Sequence, residues 1–262
     1  MTLNEPLATS SPRPLARLVV LISGNGSNLQ AMIDRCRTRW LHAEIVLVVS
    51  NEPNAFGLVR AKEAGIPTVA RSHKDFSSRE AFDQTLIETI QTYRPDWVVL
   101  AGFMRILTPN FIQAFEQRLI NIHPSLLPKY QGLNTHQRAL DAGDTEHGCT
   151  VHFVTQKLDD GPIIGQASID VSPTDTLDTL KTKVHQLEYL LYPLCLKFLL
   201  ESRPILLGNQ LSPESQPSLG SRLAPRLTDF ICDHFQIKKQ AEWEAGGKNT
   251  PLHQDILTEI YA

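Results

Sequence analysis

Residues 18–30 read LVVLISGNGSNLQ, and this stretch decides the fold class. The apolar run Leu18–Ile22 predicts a buried strand, and the turn Ser23-Gly24-Asn25-Gly26 ends it. We expect Ser27 to cap a helix that begins there and runs to about Arg39. A strand, a glycine turn and a helix in this order predict the first unit of a parallel α/β sheet.

The same alternation of short apolar runs and amphipathic stretches continues along the chain. The clearest helix is predicted over Ser78–Tyr93, where apolar residues recur at three- and four-residue spacing. Another passes through Leu58 and Ala61, and a long helix runs from Asp175 to about Leu200 with a bend at Pro193. The later strands are predicted at Glu44–Val49, Thr68–Ala70, Asp96–Leu100, Leu119–His123, Thr150–Val154 and Ile163–Val171. Together they predict a single Rossmann-like, mostly parallel twisted sheet with helices on both faces, and leave room for an antiparallel member.

Composition divides the chain into three parts. Residues 1–16 carry three prolines and no long apolar run, which predicts a flexible leader rather than a secretory signal. Residues 17–208 form the predicted catalytic domain. Residues 209–262 begin with a stretch rich in Ser and Pro, which predicts a linker followed by a C-terminal extension. The apolar groups around Phe230–Phe235 and Leu252–Ile260 predict short helices in that extension.

Charge and cysteine usage narrow the possible partners. The 25 Lys and Arg against 28 Asp and Glu leave no basic excess, so we expect no nucleic-acid partner. The apolar runs are too short or too interrupted to cross a bilayer, so we expect no membrane partner. The four cysteines stand far apart, which favours a reducing, cytoplasmic location over a disulfide scaffold. Small molecules are the expected partners, and we expect a monomer or a weak homodimer.

Ligands of open α/β sheets bind beyond the carboxyl ends of the strands, and the first such place here is the glycine turn. Its glycines bring backbone N–H groups and a helix N-terminus toward an anion, which predicts a phosphate cradle. Leu29 stands where the third glycine of a dinucleotide fingerprint belongs, and Ser50-Asn51 replaces the ribose-binding acid. A nicotinamide dehydrogenase is therefore a weak alternative, and a purely structural turn is another.

Polar residues mark two further strand ends. Asn121 and His123 share one face of a strand that Pro124 ends, and such a pair can stabilise an oxyanion and donate a proton. The acidic turn at Asp159-Asp160 can supply a carboxylate that keeps His123 charged. Taken alone, a structural His beside an Asn turn is the simpler interpretation of the first pair, and ordinary turn chemistry explains the second.

Two other groups of residues complete the candidates. The apolar segment Gly102–Leu107 follows a strand and can wall a flat aromatic ligand, or it can simply continue the core. His136, His147 and His152 fit no zinc spacing, so we expect no metal and interpret them as surface or supporting groups.

Five motifs in the same order resemble the phosphoribosylglycinamide formyltransferases of purine biosynthesis. They are LISGNGSNLQA (21–31), SREAFD (78–83), LAGFMRIL (100–107), INIHPSLLPKYQGLNTHQ (120–137) and HFVTQKLDDGPII (152–164). The resemblance covers about Leu18–Leu200 and implies the formyltransferase fold. HPSLLP is shared with other 10-formyltetrahydrofolate enzymes, including methionyl-tRNA formyltransferase and formyltetrahydrofolate hydrolase, whereas SGNGSNLQ and KYQGLNTH separate this branch from them.

The resemblance implies roles for particular residues. It implies that the catalytic residues are Asn121, His123 and Asp159. It implies that the ribonucleotide and its phosphate are bound by Gly26, Ser27, Asn28 and Glu188. It implies that the co-substrate 10-formyltetrahydrofolate is bound by Arg79, Met104, Arg105, Ile106, Leu107, Asn121, Thr155 and Asp159. Asn134 departs from the family, which usually has His there, so the polar contacts of that loop are expected to differ.

Two alternative functions stay open, one that uses the same formyl donor and one without catalysis. A tRNA formyltransferase would use the same donor but needs a basic docking surface, which the charge balance does not predict. A folate-binding module without activity would need no Asn, His and Asp at the predicted positions. The sequence therefore favours direct attack of a substrate amine on the formyl carbon, with Asn121 and His123 stabilising the oxyanion and Asp159 assisting a proton relay.

Overall fold

A seven-stranded sheet organises the protein, whose computed structural model describes residues 14–202, 206–207 and 210–211. Most of the predicted leader and nearly all of the predicted linker and extension, with both apolar groups, lie outside the described residues. The first strand begins at Ala16, the last residue of that predicted leader. The chain divides into two units, Met1–Leu200 and Glu201–Ala262.

The strands and helices follow the predicted alternation. The strands of the sheet are β1 Ala16–Ile22, β2 Ala43–Ser50, β3 Thr68–Ala70, β4 Trp97–Leu100, β5 Leu119–His123, β6 Glu146–Phe153 and β7 Ile163–Asp170. The helices are α1 Ser27–Arg37, α2 Phe56–Glu63, α3 Arg79–Thr92, α4 Pro109–Ala114, α5 Thr135–Asp141 and α6 Leu177–Ser202, with a 3-10 turn at His73–Asp75. In the second unit, β8 Leu206–Leu207 pairs antiparallel with β9 Gln210–Leu211, which falls in the predicted linker.

The strand order is β3-β2-β1-β4-β5-β6-β7, and the first five strands in that order are parallel. The last two pairings, β5 with β6 and β6 with β7, are antiparallel. The predicted mostly parallel sheet is confirmed, and it has one antiparallel member, β6, which runs against the other six strands. Because β2 and β4 lie on opposite sides of β1, the chain reverses its direction of winding there, and a ligand crevice opens at such a point.

Helices cover both faces of the sheet. Val19 and Leu21 of β1 share one buried cluster with residues of α3 and α4, including Phe82 and Phe111. The alternate residue Ile22 points to the other face, where its side chain lies against the start of α2. Since α1 also contacts α2 and β2, the two helices after β1 and β2 cover that second face.

Local details correct two predictions about α1. Ser27 does not cap α1: Gly26, with φ 73°, is the N-cap, Ser27 is the first helical residue, and the helix ends at Arg37 rather than Arg39. Pro193 lies inside α6, which runs through it to Ser202. The helices α4 and α5 were not predicted, because six and seven residues are too few for an apolar period to be visible.

No helix within residues 14–202 combines the length and the apolar character that spanning a bilayer requires. The long helix α6 instead packs on the sheet. Its Tyr192 is fully buried, and the Tyr192 hydroxyl reaches two carbonyls, Leu100 O of β4 at 2.9 Å and Ile120 O of β5 at 3.2 Å. One side chain therefore ties two neighbouring parallel strands to α6 at the level where the polar strand ends begin.

Removal of the Tyr192 hydroxyl tests whether its contacts with the two strands stabilise the fold. We expect Tyr192→Phe to lower the free energy of unfolding by about 1–3 kcal/mol, because buried carbonyls lose a donor that water cannot replace. Chemical denaturation monitored by circular dichroism measures the change. Tyr189→Phe, at a half-buried tyrosine whose ring stacks on His185, is the matched control. Equal stability of the wild type and Tyr192→Phe would contradict the argument.

Candidate active site

The glycine turn after β1 is shaped by a close approach of two backbones. Gly26 has φ 73°, and a Cβ added to it would lie 2.6 Å from Gly57 Cα. The Gly57 N–H donates to Gly24 O at 3.1 Å, and Arg60 donates to the Asn25 carbonyl at 3.0 Å. Both the left-handed conformation and the lack of space require glycine at position 26. The turn is thus held rigidly at the carboxyl end of β1, beside the N-terminus of α1.

A buried acid from α6 meets this turn. The Asn28 amide nitrogen donates to Glu188 Oε2 at 2.8 Å, and both residues are almost fully buried. Burial raises the pKa of Glu188 to about 7. The Asn28 side-chain oxygen is buried and has no hydrogen-bond partner. This pair therefore offers a carboxyl group and an unpaired acceptor, which suits a ligand rich in donors such as hydroxyl groups.

The Asn121 amide is oriented by a histidine that the sequence did not single out for this role. His152 lies opposite Asn121 in the β5–β6 pairing. The His152 Nδ1–H donates to Phe153 O at 2.9 Å, and burial lowers the pKa of His152. The ring is therefore neutral, and its Nε2 accepts a hydrogen bond from Asn121 Nδ2 at 3.3 Å. Although His152 Nε2 lies 3.8 Å from Asp159 Oδ1, a neutral ring forms no ion pair there.

His123 lies between two acceptors. Its Nε2 is 2.9 Å from Tyr130 O, and its Nδ1 is 3.4 Å from Asp159 Oδ2. Both side chains are nearly buried, with 7% and 9% exposed. An imidazolium in this place can donate toward both acceptors at once, whereas a neutral ring would leave one of them facing a lone pair. The structure thus brings Asn121, His123 and Asp159, which are distant in the chain, into one cluster.

A pocket opens between the loops that follow β4 and β6. Its wall includes the polar side chains of Asn121, His152 and Asp159. The other lining residues are apolar ones, Leu100, Phe103, Ile106, Leu107, Ile112, Val154 and Leu158, and polar ones, Arg105, Thr155, Gln156 and Lys157. A concave site that combines apolar walls with several polar groups is typical of a site for a small organic ligand. His123 reaches this pocket through Asp159 and is not part of its wall.

The structure places most, but not all, of the predicted donor-binding residues on this pocket. Arg105, Ile106, Leu107, Asn121, Thr155 and Asp159 line it. Met104 does not line it: its side chain is 71% exposed, and its backbone N–H donates to Ser23 Oγ at 2.7 Å. Arg79 is exposed at the start of α3 and also lies outside the lining. The sequence reasoning missed His152 and Val154 as wall residues, although both lie in the HFVTQKLDDGPII motif that carries the resemblance.

Two further histidines, His136 and His147, form a pair outside the pocket. His136 Nδ1 and His147 Nε2 are 3.1 Å apart. Burial lowers the pKa of His136 to about 4, and burial also lowers the pKa of His147. Across the described ranges, no group of three or more His, Cys, Asp or Glu side chains is arranged to hold a metal ion. Asn134 precedes α5 as its N-cap with φ 58°, a conformation that asparagine tolerates better than most residues.

Similarity to known proteins agrees with this geometry. Residues 16–196 match the family described as formyl transferase. The chain is 53% identical over 186 residues to phosphoribosylglycinamide formyltransferase of Escherichia coli strain K12, which covers 71% of this chain and 88% of that protein.

Solved structures show the same fold. The phosphoribosylglycinamide formyltransferase of Coxiella burnetii superposes with a TM-score of 0.73 at 50% identity, covering 78% of this chain and 95% of that one. Glycinamide ribonucleotide transformylase 1 of Symbiobacterium toebii superposes with a TM-score of 0.74 at 40% identity, covering 79% and 97%. The resemblance seen in the five motifs is confirmed, and the chain belongs to the formyl transferase family.

Proposed function

We propose that this enzyme transfers the formyl group of 10-formyltetrahydrofolate to the primary amine of glycinamide ribonucleotide, a step of purine biosynthesis. The observation that carries the proposal is the contact of His123 Nδ1 with Asp159 Oδ2 at 3.4 Å, beside the oriented amide of Asn121. The names of the related proteins support the choice of acceptor. The expected cytoplasmic location and small-molecule partners belong to the same proposal.

The pocket suits the formyl donor. Tetrahydrofolate carries a flat bicyclic ring, and the slot between the two loops offers apolar walls that include Phe103, Leu107 and Leu158. The Asn121 amide and the Asp159 carboxylate line the same slot. A donor whose ring enters the slot would present its reactive end to these two groups, and this is why we assign the slot to 10-formyltetrahydrofolate.

The glycine turn suits the acceptor. We assign Gly26, Ser27 and Asn28 to the phosphate, because the turn joins backbone N–H groups and the N-terminus of α1 in a conformation held by Gly57. Glu188, bonded to Asn28, is assigned to the sugar hydroxyl groups. Phosphate contacts far from the reacting carbon orient the amine without entering the chemistry.

The reaction then needs no covalent intermediate on the enzyme. The amine nitrogen attacks the formyl carbon and forms a tetrahedral oxyanion, which the Asn121 N–H and the His123 imidazolium stabilise. Collapse of the oxyanion breaks the bond from the formyl carbon to N10, and the proton lost by the amine is returned to N10, which releases tetrahydrofolate. In this mechanism the Asp159 carboxylate, which faces the His123 ring at 3.4 Å, orders a water that relays the proton.

A direct assay tests the proposal. The full chain is supplied with 10-formyltetrahydrofolate and either glycinamide ribonucleotide or methionyl-tRNA, and product is measured at low and high salt. We expect formylation of the ribonucleotide only, with little dependence on salt, because the small substrate needs no polyanion contact. Formylation of the tRNA in preference to the ribonucleotide, or no formylation at all, would overturn the proposal.

The Asn121 amide is the first group to test by substitution. We expect Asn121→Ala to lower kcat by roughly 10²- to 10³-fold, because the oxyanion loses a fixed donor. The measurement is kcat with both substrates saturating. Asn110→Ala, on the exposed part of α4, removes an amide that bonds only Gln84 and is the control. A change within about threefold for Asn121→Ala would remove the proposed role.

The buried acid predicts a dependence of stability on pH. The folded pKa of Glu188 lies near 7, above that of an unfolded Glu, so the folded state binds the proton more tightly and loses stability as pH rises from about 5 to 8. Glu188→Gln removes this loss. We expect its unfolding free energy to rise relative to the wild type by up to about 3 kcal/mol across that range, as measured by urea denaturation. The exposed Glu80→Gln is the control, and a constant difference between Glu188→Gln and the wild type would refute the burial argument.

A further inference from the structure

The loop that carries Asp159 is held by a short segment that follows β5, residues 130–132. The Gln131 side-chain amide donates to Asp159 O at 3.0 Å and to Asp160 Oδ1 at 3.2 Å. The Gly132 N–H donates to Asp159 Oδ2 at 2.9 Å. The segment thus holds this loop in two ways. The Gln131 side chain bonds the Asp159 carbonyl and the Asp160 carboxylate, and the Gly132 backbone bonds the Asp159 carboxylate.

Asp159 needs contacts that hold it, because its backbone conformation is unfavourable. Its φ is 49°, in the left-handed region that L-residues with a Cβ adopt at a cost. Within the loop, Thr155 Oγ1 donates to Lys157 O at 3.2 Å, and Lys157 pairs with Asp160 at 3.0 Å. Neither contact reaches Asp159, and the Lys157 pair is largely exposed and therefore weak. Contacts from outside the loop must hold the conformation of Asp159.

The same segment also touches the other partner in the cluster. Tyr130 O accepts from His123 Nε2 at 2.9 Å, one residue before Gln131. His123 is therefore fixed through Tyr130, and Asp159 is fixed through Gln131 and Gly132. The imidazole and the Asp159 carboxylate are thus both held by this one segment: Tyr130 O and the Gly132 N–H are backbone groups, and Gln131 supplies the side-chain contacts.

The backbone of the segment is anchored independently of the Gln131 side chain. Arg138 Nη1 donates to Gln131 O at 2.7 Å, and the Arg138 guanidinium lies 5.1 Å from the centre of the Tyr130 ring. The Tyr130 hydroxyl donates to Asp144 Oδ2 at 2.8 Å. Truncation of the Gln131 side chain therefore leaves these anchors in place, and its effect is confined to the Asp159 loop.

We propose that Gln131 is a positioning residue for the reaction: its amide holds the Asp159–Asp160 backbone so that the Asp159 carboxylate faces His123. The inference rests on the proposed function, because it concerns the same cluster. Gln131 touches no reacting atom and acts through Asp159. Its substitution therefore affects turnover rather than recognition of the amine substrate, whose assigned glycine turn contains no contact with Gln131.

Kinetics of matched glutamine variants test this role. We expect Gln131→Ala to lower kcat about tenfold, the effect of one lost hydrogen bond on the barrier, and to change the KM for glycinamide ribonucleotide by less than about twofold. Gln137→Ala is the control. Gln137 lies six residues after Gln131, is exposed, and its side-chain amide also bonds a carboxylate, that of Asp141. A kcat of Gln131→Ala equal to that of Gln137→Ala would overturn the proposal.

A near-isosteric variant adds a pH readout. In Gln131→Glu an acceptor replaces the amide donor beside the Asp159 carbonyl and the Asp160 carboxylate, so the ionised variant repels the loop. Its protonated form again offers a donor, and the neighbouring Asp160 favours that form. We expect the ratio of kcat of Gln131→Glu to that of Gln131→Ala to rise as pH falls from 7.5 to 5.5. A ratio that does not change with pH would overturn the donor role.

Amide hydrogen exchange separates this inference from the proposed function. We expect exchange across residues 157–161 to be about tenfold faster in Gln131→Ala than in the wild type or Gln137→Ala. The measurement needs no substrate, so it tests whether Gln131 holds this loop even if the wild type fails to formylate glycinamide ribonucleotide. Unchanged exchange would show that Gln131 does not hold this loop, and would overturn the proposal. Faster exchange with unchanged kcat would make Gln131 a merely structural residue, and would overturn its positioning role.

Discussion

The antiparallel pairing of β5 with β6 is the constraint on which the site depends. It sets Asn121 opposite His152 and His123 opposite Thr150. A slip of one residue would turn both β5 side chains to the other face of the sheet, so the amide and the imidazole share the site only in this register. Because β6 then turns into the loop 154–162, the same pairing returns the Asp159 carboxylate to the end of β5.

The two halves of the sheet carry different parts of the proposed site. The parallel half ends in the glycine turn that we assign to the phosphate, where Gly26 and Gly57 bring α1 and α2 close together. The antiparallel half carries the proposed chemistry, with Asn121 and Asp159 on the wall of the pocket. The change of winding at β1 and β4 lies between them, and Tyr192 of α6 ties β4 to β5 there. A rigid junction is what a reaction between two bound substrates requires, since a small misplacement of either lowers the rate strongly.

Much of this arrangement follows from local sequence patterns. The strand Leu119–His123 was predicted with its observed limits, because five residues of alternating character ended by Pro124 leave little choice. The orientation of β6 and β7 was not predictable in full, since strand direction depends on the length and path of connections rather than on alternation. The contact between His152 and Asn121 was missed for the same reason, because it depends on the register of two strands that are distant in the sequence. Met104, which the resemblance groups with the folate site, lies outside the lining of the pocket, and the sequence does not reveal that its backbone bonds Ser23 while the residue is exposed.

Backbone atoms make many of the contacts that hold the cluster. Tyr130 O, Gly132 N and Phe153 O each orient one polar side chain, and substitution of the residue that supplies them leaves the contact atom in place. Such contacts instead require particular backbone conformations, and this explains the positive φ values of Tyr130 and Asp159. The strain at these residues is offset by the contacts of their neighbours, in which the Gln131 side chain bonds the Asp159 carbonyl and Arg138 bonds the Gln131 carbonyl. The geometry of the cluster therefore depends on the backbone path of these loops as much as on the side chains of the cluster itself.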